Sequence, residues 1–153
     1  MQEKVTSSTS KMSDADLMAI ATYLKSLPAA PEPQPSSPKA ETMNHGQAVF
    51  VANCSSCHLE PGAGTPRAYP DLAGDTLVVG RSPETVTRIV LQGAQSARTA
   101  NAPISYSMPG FGALTNRDVA DVVTYIRNSW GNRANPVSVS QVKSIRKMIA
   151  TGD

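Results

Sequence analysis

Residues 54–58 read Cys54-Ser55-Ser56-Cys57-His58, and the rest of the chain is organised around them. This is the covalent attachment signature of a c-type haem. Two thiols must reach the two vinyl groups on one porphyrin edge, and the next residue must place an imidazole beneath the iron. Cys54 and Cys57 lie three apart, so a helical turn points both the same way. His58 then projects toward the metal as the proximal ligand. A structural zinc site would want about four Cys or His ligands, and the whole chain has two of each. A thioredoxin-like pair would want a βαβ pattern nearby, and none is visible.

The bulk numbers agree. A chain of 153 residues suits one domain with something attached. The formal charge of +2 is nearly neutral, and two haem propionates would bring it closer, so nucleic-acid binding has no electrostatic support. With 12 Pro and 10 Gly much of the chain is loop. Phe, Tyr and Trp number 2, 4 and 1, so a haem would supply a large share of the core. No apolar run is long enough to span a bilayer. Met1-Gln2-Glu3-Lys4 does not read as a secretory leader. Haem attachment of this kind implies export, so the export signal is expected to have been removed or to lie upstream in a longer parent.

An internal repeat sets the domain organisation. Residues 13–28 predict a helix with Ser13 as N-cap, Asp16 at the positive end, an apolar stripe of Leu17, Ile20, Ala21 and Leu24, and Pro28 as stop. Residues 115–130 repeat the pattern: Thr115 falls on Ser13, Asp118 on Asp16, Val119 on Leu17 and Val122 on Ile20. Thr124-Tyr125-Ile126-Arg127 falls on Thr22-Tyr23-Leu24-Lys25 without a gap. Two unrelated amphipathic helices would share capping rules but not that run. The second copy closes a haem module that began with the Cys54–His58 motif. The first copy has no such motif before it, and is expected to be the tail of a preceding haem domain.

Residues 29–43 read as a proline-rich spacer that forbids a helix. A proline-rich signalling ligand is the sharper alternative, and spacers are commoner. The haem domain is placed at 44–131. Its first helix is expected to be capped by Asn44 and to run through Gly46, Val49 and Phe50 into Cys54. A glycine inside a helix costs about 1 kcal/mol relative to alanine, and a close helix crossing at Gly46 would explain it. Residues 59–82 are expected to be mostly loop, with Gly62, Gly64 and Gly74 allowing close approach to a haem edge. Ser82-Pro83-Glu84 opens a helix carrying Val86, Ile89 and Val90 and ending near Gly93. A second loop over 94–114 holds Met108-Pro109-Gly110-Phe111-Gly112, and the closing helix spans 116–129. An extension, 132–153, carries a short amphipathic helix capped by Ser140, with Val142, Ile145 and Ile149 on one side and Lys143, Arg146 and Lys147 elsewhere. Docking on its own domain or on a partner is favoured over peripheral lipid contact.

The iron face opposite His58 needs a ligand or stays open. Met108 sits off any helical stripe, in a loop stiffened by Pro109 just before the closing helix, whereas filler methionines usually lie on such stripes. His45 is the rival and would give a bis-His haem, but it lies at a helix start on the same side of the motif as His58. Met/His ligation raises the reduction potential and suits electron transfer.

Residues 44–130 resemble a class I cytochrome c domain. The resemblance rests on Gly46 and Phe50 before Cys54, on Val122 and Tyr125 in the closing helix, on Pro70-Asp71-Leu72-Ala73-Gly74, and on Met108-Pro109-Gly110-Phe111. It implies an all-α fold around one covalent haem c, with Pro70 and Leu72 along the haem edge and Met108 as axial ligand. Thr115 to Trp130, the following Gly131-Asn132 and the tail to Arg146 are similar to the last domain of triheme cytochrome subunits of membrane-bound periplasmic dehydrogenases acting on alcohols, sugars or gluconate. Residues 1–28 resemble the end of the second domain of those subunits, where Met1 would ligate the preceding haem. The implied role is one-electron relay from a dehydrogenase subunit, through other haem domains, to quinone or an oxidase, in the periplasm and not as an enzyme. A freestanding soluble shuttle, and a haem enzyme or gas sensor with an exchangeable sixth site, are the rival classes.

Overall fold

The structure, a computed structural model, describes residues 2–28 and 34–152. Met1 and two of the spacer's four prolines, Pro31 and Pro33, lie outside the described residues. These residues form two compact units, one from the residues up to 34 together with 95–107, the other from 35–94 and 108 onward.

In the first unit, helix α1 (Gln2–Ser7) leads through a 3₁₀ turn at Thr9–Lys11 to helix α2 (Asp14–Ser26). Ser13 caps α2 as expected: its hydroxyl accepts from the Asp16 N–H at 3.2 Å and donates to the Asp16 carboxylate at 2.6 Å. No residue of α2 is buried, and its stripe of Leu17, Ile20 and Leu24 is 37, 44 and 59 % exposed. Residues 95–107 make a loop in which the Ser96 N–H donates to the Tyr106 carbonyl.

The second unit contains helices α3 (Ala40–Asn53), α4 (Ser55–His58), α5 (Thr76–Val79), α6 (Glu84–Gln92), α7 (Asn116–Ile126) and α8 (Val139–Thr151). Two-residue strands β1 (Ala94–Gln95) and β2 (Ser107–Met108) pair between α6 and α7. Three helix bounds differ from the sequence reading. First, α3 starts at Ala40 and not at Asn44, because Pro38 is the last breaker and Ala40 and Glu41 favour a first helical turn. Next, α7 stops at Ile126, where the last turn tightens and the Asn128 N–H reaches the Tyr125 carbonyl. Finally, α8 is capped by Ser138 and not Ser140: Ser138 and Gln141 form a reciprocal capping box. The short α5, absent from the sequence reading, is capped by Asp75, whose Oδ1 accepts from the Leu77 and Val78 N–H groups.

The core is built on the crossing of α3 and α7. Gly46 is buried, and a Cβ there would overlap the Asp121 carbonyl and the Tyr125 Cβ, which is the packing reason the sequence asked for. Val49 and Phe50 of α3 meet Val119, Val122, Val123 and Ile126 of α7 in one cluster, joined by Val86, Val90 and Leu91 of α6. Phe50 lies 5.6 Å from Tyr125 and 5.2 Å from Trp130, ring centre to ring centre, in tilted contacts that favour the ring quadrupoles. Val142 and Ile145 of α8 are buried in the same cluster, so the extension docks on its own domain. No helix among the described residues is long and apolar enough to cross a membrane.

Polar groups lock the frame. Thr115 caps α7 as Ser13 caps α2, and its hydrogen bonds hold the Asp118 carboxyl below the usual carboxylate range. Arg127, 1 % exposed, donates to the carbonyls of Val78 at 2.6 Å and Gly80 at 2.9 Å, tying the end of α7 to the turn between α5 and α6. Burial pushes its guanidinium below its ordinary value.

Gly46→Val should lower unfolding free energy by about 1–3 kcal/mol or more, because the helix pair must part to admit the side chain. Denaturant titration checks this, and a change below about 0.5 kcal/mol, the range of ordinary surface substitutions, would refute the close crossing.

Candidate haem site

The attachment motif is one helical turn at the end of α3. The Cys54 N–H donates to the Phe50 carbonyl at 2.8 Å, and the His58 N–H to the Cys54 carbonyl at 3.0 Å. Both thiols are free, Cys54 buried and Cys57 half-buried. Burial, with the neighbouring Cys57 adding to it, pushes the Cys54 thiol up to about 11. Burial therefore favours an uncharged sulfur at Cys54, and a thioether is uncharged.

His58 is buried, and its Nδ1 lies 3.1 Å from the Pro70 carbonyl oxygen. A carbonyl only accepts, so Nδ1 carries the proton and the lone pair of Nε2 is left for a metal. The loop that presents Pro70 is itself built tightly. Gly64 N–H donates to the His58 carbonyl at 3.0 Å, and Leu72 N–H to the Gly62 carbonyl at 2.7 Å. Gly64 has φ 57°, and a Cβ on it would overlap the carbonyls of Tyr69 and Pro70. Leu72 packs against the core.

Met108 is half-buried and packs against that same cluster, of which Cys54 is a buried member. Its loop is fixed on α6. Phe111 N–H donates to the Val90 carbonyl at 2.8 Å. At Gly93 (φ 79°) a Cβ would run into the Met108 and Pro109 backbone, and at Gly110 into the backbone of Leu91 and Gln92. His45 is engaged elsewhere: Nδ1 is 2.8 Å from an Asp121 oxygen and Nε2 is 3.4 Å from an Asp118 oxygen.

A family model described as Cytochrome c matches residues 43–130. The chain belongs to the cytochrome c family. A cytochrome c binds haem c covalently and passes single electrons. The thiol pair on one helical turn, the buried Cys54 sulfur and the oriented imidazole all fit that group.

This cytochrome is 37 % identical, over 95 % of its length, to the cytochrome c subunit of the quinone alcohol dehydrogenase of Gluconobacter oxydans, covering 33 % of that protein. It is 35 % identical to the gluconate 2-dehydrogenase cytochrome c subunit of Pantoea cypripedii over 96 % of its length and 36 % of that protein's. It is 31 % identical to the fructose dehydrogenase cytochrome subunit of Gluconobacter japonicus, over 95 % and 36 % of the two chains. The chain thus spans about a third of the length of these relatives.

Asn132 supports the site, a role the sequence reading did not assign when it named Gly131-Asn132 within the resemblance. Its side chain is buried, donates to the Leu72 and Ile126 carbonyls at 2.9 and 2.8 Å, and accepts from the Gly74 N–H at 2.8 Å. It joins the end of α7 to the segment beside the histidine. An exposed-looking Gly-Asn pair gives no periodic signal, so only the fold reveals it.

Asn132→Ala should strand those three backbone groups and lower stability by about 2–4 kcal/mol, at roughly 1–3 kcal/mol for each buried group that water does not reach. Thermal and denaturant unfolding of the haem-loaded protein measure it. A loss under about 0.5 kcal/mol, within the range of a surface substitution, would show that water replaces the amide freely.

Proposed function

We propose that this cytochrome carries a single haem with His58 and Met108 as axial ligands and serves as a terminal haem domain of a larger electron-transfer subunit. The observation that carries the proposal is the construction of the Met108 loop, fixed to α6 by Phe111 and by side-chain-free contact at Gly93 and Gly110, while both ring nitrogens of His45 face α7 carboxylates.

Haem iron held in this way supplies a one-electron couple. Cys54 and Cys57 tether the porphyrin at one edge, and the Pro70 carbonyl keeps the imidazole of His58 in one tautomer and one orientation. Pro70 and Leu72 line the haem edge on the histidine side. With haem bound, a Met108 thioether held from the loop would fill the sixth position and favour electron transfer over oxygen chemistry. The chain's own residues thus favour electron transfer over substrate conversion.

Residues 1–28 read as the end of a preceding haem domain with α2 as its last helix; the spacer stops before Ala40, where α3 opens the haem domain that runs to 131, and 132–153 is its extension. The exposed stripe of α2 supports this, since Val119 and Val122, the α7 counterparts of Leu17 and Ile20, are fully buried. The partner is a periplasmic dehydrogenase catalytic subunit with further haem domains, and the acceptor is quinone or a terminal oxidase. Membrane association runs through that complex, because α8 turns its apolar side to its own domain.

The oxidised protein should show the weak methionine–iron charge-transfer band, and Met108→Ala should abolish it while leaving the covalent haem in place. Ferrous wild-type protein should resist carbon monoxide, and the variant should bind it. Survival of the band in the variant, or ready carbon monoxide binding by the wild type, would hand the sixth position to another residue or to solvent.

A further inference from the structure

The family match ends at residue 130, and helix α8 beyond it is not explained by the haem site alone. Three basic side chains lie on α8. Lys143 and Lys147 are exposed, whereas Arg146 is half-buried and turned onto the loop that follows Met108. Its Nη1 donates to the Gly112 carbonyl at 2.9 Å, Nη2 to the Leu114 carbonyl at 2.6 Å, and Nε to the Asn116 Oδ1 at 2.8 Å. One planar fork thus spans the chain from the methionine loop to the first turn of α7, which a lysine ammonium cannot do. The α6 side of the loop is held by the Phe111–Val90 bond and the two glycine contacts. Segment 108–114 is therefore gripped from two sides, and the second grip comes entirely from outside the family-matched stretch.

We propose that Arg146 is a positioning residue for Met108, and that α8 is a latch that keeps the methionine loop closed over the haem. The proposal rests on Met108 being the sixth ligand. An external ligand reaches the iron only when the loop opens, so its apparent affinity scales with the open fraction. Hydrogen bonds from a charged donor are among the stronger ones. Without them the open fraction rises, while the closed loop still offers the thioether.

The test uses the haem-loaded full chain with Arg146→Ala, Arg146→Lys and, as a control, Val78→Ala. The control truncates a buried α5 side chain that takes no part in the hydrogen bonds of Arg146 to the loop. Imidazole is titrated into the oxidised proteins and the methionine–iron band followed, alongside thermal midpoints. Arg146→Ala should keep the band without imidazole but bind imidazole about tenfold or more tightly than wild type, with Arg146→Lys in between. Val78→Ala should be destabilised yet bind imidazole as wild type does. Unchanged imidazole affinity in Arg146→Ala overturns the latch, and so does equal tightening in Val78→Ala, which would make Arg146 a contributor to global stability only. Failure of the underlying ligand reading looks different: the wild type would lack the band, or Met108→Ala would keep it, and the latch would fall with it.

Discussion

Gly46 has no side chain, and the backbone of α7 fills the space where one would be. That contact fixes where α3 ends relative to α7, and both ends matter to the haem. The last turn of α3 runs directly into the Cys54–His58 motif, so the crossing sets the position of two thiols and an imidazole. The first turn of α7 follows directly on the loop that carries Met108, the proposed sixth ligand, so the same crossing anchors the end of that loop. The ring contacts of Phe50, Tyr125 and Trp130 and the carboxylates around His45 extend the contact on both sides. Two loops far apart in sequence are therefore referenced to one helix pair.

Rigidity at the site comes mainly from backbone, not from side chains. Pro70 acts through its carbonyl, which is why the ring can be exposed while the residue still orients His58. Gly93 and Gly110 act by letting two stretches of main chain touch. Arg127, Asn132 and Arg146 then clamp carbonyls that the loops would otherwise leave to water. The main-chain contacts have no side-chain rotamers to relax into, which suits the proposed single-geometry haem site.

The parts of this protein legible in its sequence are those written in spacing or in a local code. The attachment motif, the caps at Ser13 and Thr115, the reason for Gly46 and the inward face of α8 all belong to that group. Helix ends were less legible, because Pro38 rather than Asn44 decides where α3 begins and a reciprocal pair at Ser138 and Gln141 outcompetes the nearby Ser140. Least legible were Asn132, Arg127 and Arg146. Each acts on carbonyls far along the chain, and nothing near a long-range donor in the sequence says which acceptors it will meet.

The two copies of the repeat separate local from tertiary determinants with unusual directness. Ser13 and Thr115 make the same pair of hydrogen bonds to Asp16 and Asp118, at distances that agree to about 0.1 Å. Capping therefore does not depend on what the helix packs against. Burial does: Val119 and Val122 are inaccessible, while Leu17 and Ile20, at least as apolar, stand open to solvent. The difference lies in α3, which offers α7 a glycine at the crossing and a row of apolar side chains beside it. A helix with the code of α2 carries the stripe for such a crossing, and burying an aliphatic side chain of this size is worth about 1.5–3 kcal/mol. Leu17, Ile20 and Leu24 give α2 the counterpart of the apolar stripe that α7 buries, and that gain is realised only where a partner supplies a surface of the α3 kind.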